Sequence, residues 1–443
     1  MNPHDLVHHT SVPSHESPVT AVLCATGGLP LLRCLINPRI PTLVVSPVFN
    51  DYTFYSRYCR QRAVIASPRA EPAQAIQDLI EIGKGLSDKP VLYYGDDATL
   101  LAISRNRDRL QRYYRFLLPE PELVENLVDK LRFSSLAERL GFPIPKTHTP
   151  SPLKVMDEVR KDFPIPCILK PNTHIDWYEF LSQVSTDSGW RHGKVLCARN
   201  LEEFEILYER IKGFKDGFVI QPYIPGGEDC IYSFHAYFDR RSEPLGYFVG
   251  RKIRTYPKEC GESTYLELVK EPELVRMSLE ILKALRFVGP VKIDFKKDID
   301  KNCFYLLEIN ARFTLWCVLG ARCGINLPQL AYADLQGQSC QPLTEYRTGV
   351  RWLSFGKDFR AFIQDYHPGG DLSWRSWLLS YKCPKVYGLF SWSDPYPLFI
   401  HLLNYLKLIR GGSLSRLRKL FASGSNARGR EPLAKTPIQG KDK

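Results

Sequence analysis

The chain reads as an α/β protein whose later part is α+β, and three observations predict this. Strand-like and helix-like runs alternate over residues 19–117, the pattern of a parallel sheet with helices on its faces. From residue 164 on, strand-like runs succeed one another more closely and end in a pair, 291–295 and 304–313, around a polar turn. A composition of 44% hydrophobic and 12% aromatic residues over 443 positions is ample for the cores of two or three domains.

Val19-Thr-Ala-Val-Leu-Cys is a buried strand that runs through Gly27-Gly28 into an apolar helix ending near Leu35. Thr42-Leu-Val-Val-Ser and Val91-Leu-Tyr-Tyr are further strands, with helical stretches at 72–84 and 97–117. The result is a Rossmann-like N-terminal unit of roughly 100 residues. Its Thr26-Gly27-Gly28 turn lacks a full G-x-G-x-x-G, so a tight turn explains the glycines better than a dinucleotide does. Next comes a helix from Asp129 to Gly141, with Leu131, Phe133, Leu136, Ala137 and Leu140 as its apolar positions. Pro164 to Lys170 is a strand with a cation at its end, Lys194 to Ala198 another, and 200–213 an amphipathic helix. Phe218 to Gln221 is a strand that enters a turn, and two more strands lie between 230 and 255.

The formal charge of +12 is concentrated at one end: residues 406–443 carry ten Lys/Arg against Glu431 and Asp442, leaving about +4 for the body. No specific nucleic-acid partner is expected, although such a tail can touch an anionic membrane. Twelve cysteines without a C-x-x-C pair or zinc spacing read as free thiols in a reducing compartment. No run of ~18 apolar residues could span a bilayer and no signal-peptide pattern opens the sequence, so a cytoplasmic location is expected.

The closing hairpin carries the chemistry. A turn centred near Lys301 sets Asp294 across from Glu308, and period-two alternation puts Asn310 and Arg312 on the same face. Val291, Ile293, Phe295, Leu307 and Ile309 then form the buried face. Two carboxylates ~4 Å apart repel by about 4 kcal/mol at an effective dielectric near 20, so a cation between them is expected. Three oxygen donors beside a guanidinium suit a hard divalent ion that also holds phosphate. Acids on an ordinary solvent-facing hairpin are the plainer alternative.

In order along the chain stand Asp-Lys-x-x-Phe, Gly-x-Pro-x-Pro-x-Thr, Leu-Lys-Pro, Gln-Pro-Tyr-Ile-x-Gly-x-Glu, Arg-Lys-Ile-Arg and Asp…Glu-Ile-Asn-x-Arg. This series over residues 19–340 resembles the ATP-grasp superfamily, specifically carboxylate-amine ligases of an uncharacterised bacterial branch. The resemblance implies that Lys130 and Lys170 contact ATP phosphates. Gln221, Tyr223 and Ile224 would form the adenine hinge, with Ile168 and Ile224 sandwiching the base and Glu228 receiving the ribose. Many relatives carry an acid where Gln221 stands, so its contact to adenine would be neutral here. Asp294, Glu308 and Asn310 would hold Mg²⁺ or Mn²⁺. Lys252 and Arg254 would neutralise the transferred phosphoryl group, and Arg312 would clamp the carboxylate. Loop 172–193 would cover the triphosphate, though Trp177, Tyr178 and Trp190 make it bulkier than a usual phosphate loop.

The implied activity joins a small-molecule carboxylate to an amine through an acyl phosphate, releasing ADP and phosphate. The alternative is a non-catalytic ATP-binding regulatory or scaffold protein. The expected organisation is a disordered tail 1–17, the Rossmann-like domain 18–125, an ATP-grasp domain 126–340, a C-terminal extension 341–410 and a disordered basic tail 411–443. In the extension, Tyr346 to Leu353 suggests a strand packed back on the core. His401, Asn404 and Lys407 recur every three residues in an otherwise apolar helix from Pro397 to Ile409, which is expected to dock on the body. The rival membrane reading requires its apolar face to be exposed.

Overall fold

The computed structural model describes residues 19–148 except 38 and 87, 165–181 except 174, 176, 178 and 179, 195–410 except 260, and 439–440. The expectations for 1–17, for nearly all of 411–443 and for most of loop 172–193 lie outside these residues.

The first sheet joins β1 (Ala21–Cys24), β2 (Thr42–Ser46), β3 (Gln61–Val64) and β4 (Val91–Tyr94) in the parallel order β3-β2-β1-β4, with residues 439–440 as a fifth, antiparallel edge. β1, β2 and β4 are buried on both faces, which is why they read as continuous apolar runs. β3, with its Gln-Arg-Ala-Val sequence and half-exposed pattern, gave no such signal. The expected helix over 97–117 stops at Arg105; Asn106 leaves helical geometry, a single turn follows, and Arg115 bridges to Val91 in extended conformation.

A small antiparallel sheet orders β6 (Leu196–Ala198), β5 (Cys167–Pro171) and β7 (Phe218–Pro222) as β6-β5-β7. Cys167, Leu169 and Ile220 bury one face of it against Phe204, Leu207 and Ile211 of the helix Leu201–Ile211. Trp177 belongs to this core, fully buried and 5.2 Å from the ring of Phe214, so it packs the small sheet instead of sitting at a loop tip.

The large sheet runs β12-β11-β8-β9-β10-β13-β14, comprising β8 (Ile231–Phe238), β9 (Pro244–Tyr256), β10 (Glu262–Val269), β11 (Gly289–Asp298), β12 (Cys303–Asn310), β13 (Arg351–Leu353) and β14 (Lys385–Tyr387). β13 pairs with β10 as the expected strand packed back on the core. One face of this sheet, with Phe234, Val249, Ile293 and Leu306, shares a core with β1, β2 and the helix Pro72–Lys84. The C-terminal segment returns to the first sheet, where the buried Asp394 carboxylate receives Arg33, Ser56 Oγ and the Arg57 amide.

The helix Tyr396–Arg410 docks, but through the face opposite to the one expected. The His401 ring meets Tyr52 edge-on at 5.4 Å and Asn404 Nδ2 donates to Asn50 O at 3.2 Å, while Phe399, Leu402, Leu403 and Leu406 are exposed. Asn50 and Tyr52 offer polar and aromatic partners that suit the polar stripe.

Candidate active site

Strand register gives the large sheet a polar face. Glu308 on β12, Asp294 on β11, Ser233 on β8 and Gly250 on β9 lie in one row across four strands, and directly paired residues point to the same side. The next row contains Asn310, Lys292, His235 and Phe248. The opposition of Asp294 and Glu308 is as expected, but its origin is not. The turn is centred half a residue earlier, and Leu307 is bulged out of β12, which moves Glu308 into register. Leu307 is accordingly only half-buried, and Leu306 takes the core position expected for it.

Asp294 accepts from Ser233 Oγ and from Lys292 Nζ, the latter at 2.6 Å. Asn310 Nδ2 donates to Glu308 Oε1 at 3.2 Å, and Arg312 Nη2 donates to Asn310 Oδ1 at 3.3 Å. Arg312 Nε donates to Asp97 Oδ1 at 2.5 Å, and Nη1 approaches Gly95 O at 3.5 Å. Burial opposes the guanidinium charge most, but Asp97, Asp96 and Glu308 together outweigh it and keep Arg312 cationic. Among the described residues no three His, Cys, Asp or Glu side chains converge on a metal position, so a metal here would rest on two carboxylates and the Asn310 amide oxygen. That all-oxygen set fits a hard divalent ion.

The small sheet supplies the facing wall. Ile168 and Lys170 alternate with the core residues Cys167 and Leu169, and they pair with Gln221 and Val219 of β7. Lys170 is buried, and this lowers its ammonium to about 8 from its usual range; Glu308 and Asp294 push back, while Lys130 and Lys296 lower it further. Lys170 on the small sheet thus lies near enough to Asp294 and Glu308 on the large sheet to feel their charge, and the polar faces of both sheets line one cleft. Lys130 opens the helix Lys130–Arg139, capped by Asp129, and its amide donates to Asn172 O at 2.9 Å just beyond β5. Lys296, on the Asp294 face, lies 4.2 Å from the Tyr223 ring centre and so links the large sheet to the hinge. Ile224 is buried, Tyr223 N–H donates to Pro166 O, and Gln221 Nε2 donates to Thr147 Oγ1 at 2.7 Å, leaving the buried Oε1 without a partner among the described residues. Glu228 Oε1 receives the Glu259 amide and Tyr366 Oη, both at 2.8 Å, and Thr255 Oγ1 at 3.4 Å.

Lys252 and Arg254 part company. Lys252 pairs with Leu266, but a register shift makes Arg254 pair with Tyr265, so residues two apart on β9 face opposite ways. Arg254 is not in the cleft: it is buried against Asp358 in a bidentate pair, Nε to Oδ1 and Nη2 to Oδ2 both 2.9 Å, and stacks 4.5 Å over Tyr265. The role expected for Arg254 at the phosphoryl group is therefore withdrawn.

Lys292, Lys296, Ser233 and Asp97 were missed at the sequence level. The lysines share the parity of Asp294 and were within reach of a period-two count; Ser233 and Asp97 come from distant segments that only topology brings near. His235 belongs with them: it is stacked against Phe248 and Trp316, beside Lys292, with its buried Nε2 lacking a partner among the described residues. Trp316 can lie over the sheet there because position 250 is glycine, whose added Cβ would fall 2.6 Å from the indole.

Residues 217–355 match the family model described as ATP-grasp in the biosynthetic pathway with Ter operon. The chain has the ATP-grasp fold. A D-aspartate ligase of Enterococcus faecium (strain Aus0004) is 23% identical over 255 residues, 56% of this chain and 59% of that protein, so the match spans less than two thirds of the relative. N5-carboxyaminoimidazole synthetase of Staphylococcus aureus superposes with a TM-score of 0.58 at 13% identity, covering 79% of this chain and 86% of that one. An L-amino acid ligase of Bacillus licheniformis does so with a TM-score of 0.55 at 16% identity, over 76% and 79%. The small and large sheets that face each other across the cleft both lie within the part of the chain that shares this fold.

Proposed function

We propose that this ATP-grasp chain is an ATP-dependent ligase that joins a carboxylate to an amine through an acyl phosphate, giving ADP and phosphate. The observation that carries the reading is the buried Lys170, crowded by Lys130 and Lys296 and facing Asp294 and Glu308 across the cleft. Clustered ammonium groups opposite paired carboxylates are complementary to a metal-bound polyphosphate. The S. aureus structural neighbour is also known in complex with ADP.

In this reading the adenine lies between Ile168 and Ile224 along the Gln221–Ile224 hinge, with Tyr223 beside it. The second oxygen of Glu228, Oε2, receives the ribose, since donors already converge on Oε1. Lys130, Lys170 and Lys296 hold the phosphates. Asp294, Glu308 and Asn310 would hold Mg²⁺ or Mn²⁺, which when bound neutralises charge on the phosphate oxygens. Lys252 takes the phosphoryl-neutralising role alone. Arg312, steadied at Nε by Asp97, turns its Nη edge to the carboxylate and to the oxyanion formed when the amine attacks, exchanging its long contacts to Gly95 and Asn310 for them. We read 18–125, 126–340 and 341–410 as the functional units.

A cytoplasmic location belongs to this reading, and the eleven cysteines among the described residues, all free thiols, support it. No helix among those residues is long and apolar enough to cross a membrane. The rival reading, a regulatory ATP binder, would not need both carboxylates and Arg312 on one face. The test is an ADP-release screen with Mg²⁺, ATP and paired acids and amines, beginning with amino acids such as D-aspartate. ADP is the expected product; AMP, or nucleotide binding without turnover on any pair, would overturn the reading.

A further inference from the structure

The helix Tyr396–Arg410 presents its apolar side to solvent. His401 and Asn404, one helical turn apart, hold the body through Tyr52 and Asn50, and Pro397 is buried on the same side. At 100° per residue, Phe399, Leu402, Leu403 and Leu406 fall on the opposite side, and the structure leaves them open, Phe399 at 65% and Leu406 at 51% exposure. Two aromatic side chains stand just ahead of this stripe: Tyr396 at 68% and Trp392 at 89% exposure.

The sequence that follows is cationic. From Pro395 to Arg430 there are seven Lys/Arg, at 407, 410, 416, 418, 419, 428 and 430, and no Asp or Glu. An apolar stripe edged by Trp and Tyr and continued by uninterrupted positive charge matches the composition of helices that lie in a lipid interface. At 15 residues the helix is about 22 Å long, too short to span a bilayer but suited to lie in its surface.

We propose that the outer face of this helix seats the protein on a lipid surface, and the cationic sequence that follows it makes that surface an anionic one. Phe399, Leu402, Leu403 and Leu406 enter the acyl boundary, and Trp392 and Tyr396 sit at headgroup level. The charge pattern selects this occupant over a second copy of the chain, whose identical cationic segment would repel it.

The test is co-sedimentation of the full-length protein with phosphatidylcholine vesicles, with and without about one-third phosphatidylglycerol. Binding is expected to the anionic vesicles and to weaken with salt. The Phe399→Ser/Leu402→Ser/Leu406→Ser variant should bind at least tenfold more weakly. Trp392→Ser, at a nearly fully exposed position whose loss cannot unfold the chain, should bind severalfold more weakly. Three results would overturn the proposal: no wild-type binding, undiminished binding by both variants, which would leave tail charge as the sole cause, or a wild-type dimer that the triple variant converts to a monomer.

Discussion

Glu308 stands opposite Asp294 because Leu307 is bulged from β12; in an unbulged register the partner of Asp294 would be Leu307. The bulge therefore creates the carboxylate pair. Asp294→Asn or Glu308→Gln is expected to reduce ADP release by about a hundredfold or more, equivalent to roughly 2.7 kcal/mol of barrier. Glu308 is only half-buried, so Glu308→Gln should leave the thermal midpoint nearly unchanged. Steady-state ADP release beside a thermal melt checks both. Wild-type turnover in Glu308→Gln would remove the pair from the mechanism.

Lys170 gives a pH signature with a definite sign. Burial holds its ammonium at about 8 in the ligand-free protein, so the charge is largely present at neutral pH and is lost as pH rises through 8. Nucleotide phosphates favour the charged form, so ADP affinity is expected to be flat below about pH 7 and to weaken above 8 by up to ~tenfold per pH unit. Lys170→Arg, which stays charged, should flatten that limb. Calorimetric titration at several pH values measures it, and an unchanged slope in Lys170→Arg would assign the limb to another group.

Lys252 and Arg254 should separate cleanly. Removing one partner of a buried ion pair leaves the other uncompensated, at a cost of about 3–5 kcal/mol. Arg254→Ala or Asp358→Asn is thus expected to lower the denaturant midpoint strongly, since Trp377 Nε1 and Thr264 Oγ1 also depend on the Asp358 carboxylate. Lys252→Ala should instead reduce turnover with little change in stability. Chemical denaturation of the two variants side by side decides the matter, and equal stability would contradict the assignment of Arg254 to packing.

What the sequence disclosed follows from where its signals are local. β1, β2, β4 and the 291–310 hairpin are legible because burial on one or both faces writes itself as apolar periodicity, and the placement of Asp294, Glu308, Asn310 and Lys170 on their strands comes with them. β3 and β10 are not, being short or part polar. Arg254 was misplaced because a bulge breaks period two without leaving a distinctive residue, and the helix after Pro397 was read with its faces reversed because hydrophobicity alone does not say which face has partners. Ser233, His235 and Asp97 required topology, since each lies far along the chain from the residue it serves.

The Arg312–Asp97 pair is the link between the first sheet and the cleft. Arg312 lies just past the end of β12 and Asp97 opens the helix after β4, 215 positions earlier, with the two side chains only about one-fifth exposed. Asp97 holds the Nε edge of the guanidinium, and in the proposed reaction it orients Arg312, whose Nη groups exchange their 3.3 Å Asn310 and 3.5 Å Gly95 contacts for the substrate carboxylate. Asp97→Asn keeps a hydrogen-bond acceptor but loses the charge, and is expected to raise KM for the carboxylate substrate about tenfold with a smaller change in kcat. Arg312→Lys, which cannot span Asp97 and a carboxylate together, should lower kcat/KM by at least a hundredfold, about 2.7 kcal/mol. Because Asp97 acts through Arg312, the double variant should be little worse than Arg312→Lys alone, a non-additivity that a double-mutant cycle reads directly. Fully additive losses would show that Asp97 meets the substrate on its own account.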